Sequence, residues 1–290
     1  MQLEIAWKER REWHIRVRMQ PASADDSLSV VGPQSPTGLI DVHSHIVWGV
    51  DDGSTSMNDS LAMLHSAAEH GTTVIVATPH SSAEYSYQQE SIDSRILELT
   101  ALTGGKPRLL RGCNFHLSFE NIDVLLDQPS KYTINGKQYL LVECPDSNVG
   151  RHTESVFSRL LDAHIVPIVT HPERNPILQQ KLNRVAAWVE LGCLVQVTAL
   201  SITGGFGHSA KSAAAKLLAR GLVHMVASDA HDPAHRHPCL DAAYTAVQSR
   251  FGADAAELLF RDNPHAVVEG LPLLGGKQIA TEFAGKWWRF

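Results

Sequence analysis

From Leu39 onward the chain alternates short, almost continuous apolar runs with longer segments in which apolar residues recur every three or four positions. Uninterrupted apolar runs of this length are typical of parallel strands that are covered on both faces. The pattern therefore predicts seven buried parallel strands, at Leu39–His43, Thr73–Thr78, Arg108–Phe115, Tyr139–Cys144, Val166–Thr170, Cys193–Ala199 and Val223–Ser228.

Amphipathic segments fill the gaps between these strands and carry the usual helix boundary signals. In the first of them Ser56 is the N-cap candidate and Gly71 follows the last turn. Strands that alternate with helices predict an α/β fold, here a distorted (β/α)7 barrel, whose reactive residues gather at the carboxyl ends of its strands. The predicted helices are Asn58–His70, Thr153–His164, Gln179–Leu191, Ser209–Arg220, His237–Arg250 and Asp254–Phe260.

The two ends of the chain differ in pattern from the barrel region. Residues 1–18 alternate apolar and polar positions, which predicts a hairpin or, since Met19 is an alternative start, a stretch outside the functional protein. We expect an N-terminal extension and linker at 1–37, one domain at 38–275 and a C-terminal tail at 276–290. The aromatic end of that tail, Trp287–Phe290, either packs on the barrel or forms a contact in a homo-oligomer.

Charge and hydropathy argue against several classes of protein. The formal net charge is −6 and the chain has no long basic run, which disfavours nucleic acid as the main partner. No run reaches the ~20 apolar residues of a membrane helix, and no apolar core of a signal peptide follows the basic N-terminal residues. We therefore expect a cytoplasmic protein without membrane insertion.

Cysteine usage excludes one kind of phosphatase chemistry. The four cysteines form no CxxC pair, and the first three lie in or beside apolar runs, which predicts buried, reduced thiols. No arginine stands six positions after any cysteine, so the Cys-x5-Arg loop of thiol phosphatases is absent. The cysteines are Cys113, Cys144, Cys193 and Cys239.

Histidines and carboxylates stand where the predicted strands end. His43 and His45 are two positions apart, so in an extended strand their side chains point the same way, and Asp229 and His231 repeat this spacing. Imidazole together with carboxylate suits Mn, Fe, Zn or Mg. With His80, His171 and the pair Asp51-Asp52, the ligands outnumber what one tetrahedral ion takes, and two or three divalent ions are expected.

The order of these motifs resembles the PHP (polymerase and histidinol phosphatase) superfamily, and more narrowly the bacterial PHP-type protein-tyrosine phosphatases that accompany capsule and exopolysaccharide export. The resemblance covers about residues 39–270, and the His-Pro-Glu-Arg of His171–Arg174 is similar to the tyrosine-phosphatase branch. It implies a three-metal site in a distorted seven-stranded barrel. Carried over by position, the ligands are His43, His45, Asp52 (with Asp51 as the alternate), His80, Asn114, His171, Asp229 and His231.

At one position the chain departs from the pattern of the superfamily. The resemblance implies an acidic ligand on the third strand, where this chain has Asn114. An amide offers one carbonyl oxygen and lacks the charge with which a carboxylate bridges two cations. Three readings stay open: one metal is bound weakly or the activity is low, His116 compensates from the same face, or Glu143 at the end of the fourth strand is an acid that contacts the ligands and not the metal itself.

The chemistry expected of such a site is hydrolysis of a phosphomonoester. Paired ions, manganese first among them, would lower the pKa of a water and give a hydroxide that attacks phosphorus. Arg174 is the candidate bidentate phosphate clamp, Arg236 could add a contact from the last loop, and Asp229 completes the catalytic candidates. The glycine-rich Gly204–Gly207 either approaches phosphate through backbone N–H groups or is a plain loop.

The resemblance also implies a substrate, a phosphotyrosine protein that is the tail of a bacterial tyrosine kinase of polysaccharide assembly. Two alternatives remain beside this protein-tyrosine phosphatase. One is another PHP phosphatase, acting on histidinol phosphate or a small nucleotide. The other is a weakly active metal-binding scaffold, because Asn114 replaces an acidic ligand.

Overall fold

The computed structural model describes residues 37–117, 121–146, 149–150 and 152–273, which belong to one compact unit, Ser35–Phe290. The predicted extension at 1–37, apart from its last residue, and the predicted tail at 276–290 lie outside the described residues. Within the described part of the chain, no helix is both long and apolar enough to cross a membrane.

The prediction of an α/β fold with parallel strands is confirmed, since every strand pairing in the described chain is parallel. Most strand residues are buried, and β1 and β9 are buried over their whole length, as expected for unbroken apolar runs. The strands are β1 Leu39–Ser44, β2 Thr72–Ala77, β3 His80–Ser81, β4 Arg108–Arg111, β5 Asn114–His116, β6 Tyr139–Glu143, β7 Val166–Thr170, β8 Leu194–Thr198 and β9 Met225–Ala227.

The strands form two hydrogen-bonded sheets, β1-β2-β4 and β3-β5-β6-β7-β8-β9. Because β2 is followed directly by β3 and β4 by β5, the two sheets together run in chain order. The prediction of one continuous strand at Arg108–Phe115 was wrong, since the strand is interrupted at Gly112 and Cys113. A Cβ at Gly112 would lie 2.9 Å from a methyl group of Val76, so only glycine permits this close approach.

The first strand is also joined to the last. Ser44 forms a parallel bridge with Ala230 just after β9. Two backbone hydrogen bonds flank this bridge: the His45 N–H donates to Ala230 O at 2.8 Å, and the Asp229 N–H donates to His43 O at 2.8 Å. The bridge brings the carboxyl end of β1 beside the end of β9, where the sequence predicted ligands on both.

A buried carboxylate strengthens this junction. The side chain of Asp41 accepts hydrogen bonds from the Ser228 hydroxyl at 2.5 Å and from the Ser228 N–H at 3.0 Å. Asp41 has no exposed surface, and burial raises its pKa to about 6 although the Ser228 bonds act to lower it. Asp41 of β1 is therefore hydrogen-bonded to the residue that directly follows β9.

Two apolar clusters account for the packing of the described chain. The smaller one includes Ile40 from β1, Val76 from β2, Leu141 from β6, Ile168 from β7 and Met225 from β9. One buried cluster that draws on strands from both sheets is what a curved, barrel-like strand array produces. The larger cluster packs the helices against the outer face of the strands, with Trp188 and Phe157 among its largest fully buried side chains.

Each of the six predicted helical segments contains a helix, but others, such as Gln89–Leu102 and Asn263–Glu269, had no predicted counterpart, and the predicted Asp254–Phe260 changes from an α-helix to a π-helix at Leu258. The predicted Gln179–Leu191 is interrupted near Lys181, and the predicted start at His237 is too early because Pro238 disfavours helical backbone before it. The helices are α1 Met57–Glu69, α2 Gln89–Leu102, α3 Ile122–Asp127, α4 Pro129–Tyr132, α5 Thr153–Asp162, α6 Pro176–Gln179, α7 Leu182–Leu191, α8 Ala199–Thr203, α9 Gly207–Ala219, α10 Asp241–Phe251, α11 Ala253–Glu257 and α12 Asn263–Glu269, with a 3-10 turn at Ile134–Gly136 and a π-helix at Leu258–Asp262.

Candidate metal centre

The carboxyl ends of the parallel strands meet at one edge of the fold, and the sequence-predicted ligands lie there together. Their side chains form two groups whose donor atoms lie within 4.8 Å of one another in each group. The first group is His45, Asp52, His80 and His231, and the second is His43, His171 and Asp229.

In the first group one carboxylate oxygen faces two imidazoles. Asp52 Oδ1 lies 3.4 Å from His80 Nε2 and 3.5 Å from His231 Nε2. The ring of His45 packs against the rings of both histidines, at centroid distances of 4.5 Å and 4.0 Å. Three imidazoles and a carboxylate around one point are a donor set that a divalent cation accepts.

The second group adjoins the first through two short contacts. Asp229 Oδ1 lies 3.3 Å from His43 Nε2 and also 3.3 Å from His45 Nε2. The Nε2 atoms of His43 and His45 are themselves 3.3 Å apart. His43 near the end of β1 and His45 just after it therefore contribute one histidine to each group.

Glu143, which the sequence left as one of three readings, faces both groups. Its Oε2 lies 3.5 Å from His80 Nδ1, and its Oε1 lies 3.8 Å from His171 Nε2. The carboxylate thus sits between a histidine of the first group and a histidine of the second. Glu143 was absent from the predicted ligand list, although its position as the last residue of β6 was the signal that identified the others.

Asn114 lies beside Glu143 as a neutral amide. Its Nδ2 donates to Glu143 Oε2 at 2.6 Å and lies 3.4 Å from His80 Nδ1. Its Oδ1 is buried without a hydrogen-bond partner. An orphaned buried carbonyl oxygen next to imidazoles and a carboxylate is an acceptor that a cation would satisfy. His116, two residues on, belongs to neither group of possible ligands in the described chain.

The structure distinguishes the two aspartates of the loop after β1. Asp51 has a fully buried side chain, and its Oδ2 accepts from His45 Nδ1 at 2.6 Å and from the His80 N–H at 3.0 Å. Its carboxylate is therefore occupied in holding two histidines. Asp52 points into the first group, as favoured from the sequence, and Asp51 orients the ligands behind it.

Other histidines are oriented in the same way. His43 Nδ1 donates to Gln196 Oε1 at 3.0 Å, and His231 Nδ1 donates to the backbone oxygen of Asp229 at 3.0 Å. When Nδ1 of a neutral imidazole carries the proton and donates it to an acceptor, Nε2 keeps the lone pair with which the ring can bind a metal. In both residues Nε2 is the atom that faces a carboxylate of the groups.

The electrostatics of the site suit metal ligands, which must be neutral imidazoles and ionised carboxylates. Burial lowers the pKa of His43 to about 3, and burial also lowers the pKa of His171 and of His231. The surrounding imidazoles, among them the charged His45, hold the pKa of Asp52 far below its usual range. Burial alone would raise the pKa of Asp229, but the hydrogen bond from His45 and the charge of Arg174 hold it well below its ordinary value.

His45 is the exception. Burial acts to lower its pKa, but the charges and hydrogen bonds of Asp51 and Asp229 raise it to about 10. The proton on this ring compensates the surrounding carboxylates, and a bound cation would take over that role. The donor set, the orphaned oxygen of Asn114 and the ionised carboxylates together fit divalent cations at these two groups.

Two arginines border the second group. Arg174 Nη1 donates to Asp229 Oδ2, and Arg236 Nη2 donates to the same oxygen at 2.6 Å. Asp229 therefore offers Oδ1 to the histidines and Oδ2 to the arginines. Its backbone has a φ of 51°, and that of His171 a φ of 33°, conformations that non-glycine residues rarely adopt and that concentrate at functional sites.

The acid of the His-Pro-Glu-Arg motif has a structural function that the sequence did not reveal. Glu173 is fully buried, and its Oε1 accepts from the Thr198 N–H at 2.9 Å and from the Ser201 hydroxyl at 2.7 Å. These bonds tie the turn after β7 to the end of β8. The turn therefore holds Arg174 at a fixed distance from the ligands.

Comparison with known proteins agrees with this geometry. The family model for capsular polysaccharide synthesis, CpsB/CapC, matches residues 39–269. The CapC protein of Staphylococcus aureus is 32% identical over 202 residues, which cover 68% of this chain and 79% of CapC. The tyrosine-protein phosphatase CpsB of Streptococcus pneumoniae is 29% identical over 239 residues, or 79% of this chain and 98% of CpsB.

Solved structures give the same result. A crystal structure from a study of YwqE of Bacillus subtilis and CpsB of Streptococcus pneumoniae, described as unique metal-dependent tyrosine phosphatases, superposes with a TM-score of 0.76 at 27% identity, over 81% of this chain and 96% of the other. The phosphotriesterase homology protein of Escherichia coli, with a TM-score of 0.52 and 14% identity over 80% of this chain and 99% of the other, shares the fold alone. The chain is therefore a member of the capsular polysaccharide synthesis family CpsB/CapC.

Proposed function

We propose that the protein is a metal-dependent protein-tyrosine phosphatase that acts in capsule or exopolysaccharide assembly. One observation carries this proposal: two adjoining ligand groups share the contacts of Asp229 and His45, and two arginines lie directly beside them. Paired cations next to guanidinium groups are the arrangement that phosphoester hydrolysis uses. The family membership and the names of the relatives support the same reaction.

The ligands that we propose for two or three ions, manganese first among them, are His43, His45, Asp52, His80, Asn114, His171, Asp229 and His231, with Glu143 added from the geometry. Asn114 would contribute its orphaned oxygen. The bound ions supply Lewis acidity toward the phosphoryl group and toward a water molecule. We place the catalytic domain at 38–275, with 1–37 and 276–290 outside it.

The arginines supply the phosphoryl contacts. A guanidinium group has five N–H donors in one plane. Arg174 uses one of them, and Arg236 uses Nη2, while Nε of Arg236 is buried without a partner among the described residues. The remaining donors can bind phosphoryl oxygens in the bidentate geometry that arginine favours. Asp229 positions both side chains for this contact.

A phenolic leaving group fits the surroundings of the site. The ring of Tyr85 stacks on His80 at a centroid distance of 5.9 Å and an angle of 19°. Phe206 lies against Arg174 and Arg236 beside the second group. Aromatic surfaces near both groups favour a tyrosine side chain, whose phenol has a pKa of ~10 and leaves with less proton assistance than an alcohol.

We infer that the physiological substrate is the phosphorylated tail of a tyrosine kinase of polysaccharide assembly. Phosphotyrosine on such a tail is made from ATP, which places the enzyme in the cytoplasm. The partly exposed side chains of Asp52 and Arg174 support a site that a flexible peptide can reach.

A substrate panel tests the proposal. Metal-stripped protein would be reloaded with Mn, Fe, Zn or Mg and assayed on p-nitrophenyl phosphate, a phosphotyrosine peptide, a phosphoserine peptide, histidinol phosphate and a nucleotide. We expect metal-dependent turnover with the phosphotyrosine peptide preferred, and loss of both turnover and bound metal in His43→Ala. His65→Ala, at an exposed histidine away from the ligand groups, is the matched control.

The panel also separates the alternatives. Preference for histidinol phosphate or the nucleotide would assign the protein to another phosphatase of the superfamily. Metal binding without turnover on any substrate would support a scaffold. Full metal occupancy in His43→Ala would contradict the proposed ligand set.

A further inference from the structure

Phe206 lies against both arginines of the candidate site. The Cζ of Arg174 lies 4.2 Å from the centroid of the Phe206 ring, and the Cζ of Arg236 lies 5.7 Å from it. Both distances are within the ~6 Å range of a cation–π interaction. The arginines come from different loops, after β7 and after β9, so this ring is a contact that the two have in common.

The loop that carries Phe206 has a defined conformation. Gly204 and Gly207 have φ values of 107° and 82°, which disfavour any side chain at either position. The N–H groups of Gly204 and Gly205 both donate to Leu200 O, at 2.9 Å and 2.7 Å. Phe206 follows this double hydrogen bond and immediately precedes α9. The glycine-rich segment therefore positions an aromatic ring beside the site.

The charges of Arg174, Arg236 and Asp229 explain why the Phe206 ring is stabilising at this position. Two guanidinium groups share a single oxygen of Asp229, whose side chain is only 2% exposed, so one negative charge faces two positive ones. The face of an aromatic ring carries partial negative charge and attracts both cations. The ring also consumes no hydrogen-bond donor, because the N–H groups of a guanidinium lie in its plane and not on its face.

We propose that Phe206 is a positioning residue for phosphate binding, which rests on the function proposed above. It covers the faces of Arg174 and Arg236 and fixes their planes, so that the unused N–H donors point together at one phosphoryl group. Without the ring, each side chain would be held by its hydrogen bonding to Asp229 alone, about which a long side chain can pivot.

Replacement of the ring tests this role. We would compare Phe206→Leu and Phe206→Tyr with the wild type, and use Phe251→Leu as a matched control, since Arg250 lies 5.5 Å from that ring away from the site. The readouts are calorimetric binding of inorganic phosphate to the Mn²⁺-loaded full chain, bound manganese, and kcat and KM for a phosphotyrosine peptide.

We expect Phe206→Leu to weaken phosphate binding and raise KM about fivefold, the equivalent of about 1 kcal/mol, with bound manganese unchanged. Phe206→Tyr should stay within about twofold of the wild type because it keeps the ring. Phe251→Leu should leave both quantities unaltered. If Phe206→Leu fails to fold, Phe206→Met, which retains volume without a ring, takes its place.

Unchanged phosphate affinity and KM in the ring-less variant would overturn the positioning role and leave the proposed function intact. A fivefold loss that Phe206→Tyr fails to restore would also overturn it. Wild-type protein that binds phosphate but hydrolyses no phosphotyrosine peptide would instead refute the proposed function, and the phosphate comparison would still decide the role of Phe206.

Discussion

Asn114→Asp exchanges an amide for a carboxylate of the same shape, so its effect on the protein is almost purely electrostatic. In the structure Asn114 Nδ2 donates to Glu143 Oε2 at 2.6 Å, and Asn114 has no exposed surface. The substitution turns that donor into an acceptor and brings two carboxyl groups to hydrogen-bond distance. They can remain so close only by sharing a proton or by binding a cation between them.

Without metal, the loss of stability in Asn114→Asp depends on whether the two carboxyl groups share a proton. Two unit charges at roughly 3 Å repel by about 5 kcal/mol at an effective dielectric constant of 20. Retaining a proton on an aspartate of ordinary pKa ~3.9 costs about 1.36 kcal/mol per pH unit, or about 4 kcal/mol at pH 7 and about 1.5 kcal/mol at pH 5. Proton retention is the less costly outcome, so we expect the metal-free variant to lose about 4 kcal/mol of unfolding free energy at pH 7.

Metal should reverse this effect. With the introduced carboxylate facing Glu143 and His80, a divalent cation gains a charged ligand in place of the neutral oxygen of Asn114. Stabilisation by a ligand grows with its concentration relative to Kd, so Mn²⁺ should raise the Tm of the variant more than that of the wild type. For a domain of this size, the loss at pH 7 corresponds to a drop in Tm of roughly 8–16 °C without metal.

The assay is thermal unfolding of both chains with a chelator and with Mn²⁺, at pH 7 and pH 5, together with calorimetric measurement of Mn²⁺ affinity. Asn263→Asp is the control, because it places a carboxylate at another buried asparagine, whose Nδ2 donates to His224 O. This control should be destabilised without recovery in Mn²⁺. Equal Tm values of Asn114→Asp and wild type with chelator at pH 7, or equal gains with Mn²⁺, would refute the reasoning.

Three further predictions follow from individual contacts. Asp51→Asn removes the carboxylate that holds His45 Nδ1 at 2.6 Å, and we expect calorimetric Mn²⁺ affinity to fall about 10- to 100-fold; unaltered affinity would show that Asp51 does not orient the ligand. Arg174→Lys keeps the charge but loses the planar donors, so KM for a phosphotyrosine peptide should rise roughly tenfold with bound manganese unchanged; an equal KM would exclude a bidentate clamp. His224 Nδ1 accepts from the Val195 N–H at 3.1 Å, and burial lowers its pKa to about 4. Because His224 binds a proton more readily in the unfolded chain than in the folded chain, acid favours unfolding. The free energy of unfolding is unaffected by His224 above pH ~6.5 and falls by about 3 kcal/mol as the pH decreases toward 4. Denaturant titrations from pH 8 to 4 should show a correspondingly smaller loss in His224→Asn, and parallel losses in both chains would contradict this assignment.

The strand ends were readable from the sequence because two local regularities coincide there. A buried parallel strand is an unbroken apolar run, and the polar residues at or just after its end mark the carboxyl edge of the sheet. His43, His80, His171 and Asp229 could therefore be recognised by their positions. The interruption at Gly112 was not readable, because it depends on the close approach of Val76 from the neighbouring strand.

What the sequence by itself determined is the kind of chemistry, since imidazoles and carboxylates recur where the buried parallel strands end. Tertiary structure decided which of these side chains enter the ligand groups and which orient the ligands from behind. Asp51 and Asp52 are adjacent and chemically identical, and only the fold turns one toward His45 and the other into the ligand group. Likewise, Glu143 lies between two histidines, and Phe206 lies against two arginines, because distant strands and loops converge. Contacts between segments far apart in the chain leave no local pattern, and packing alone selects them.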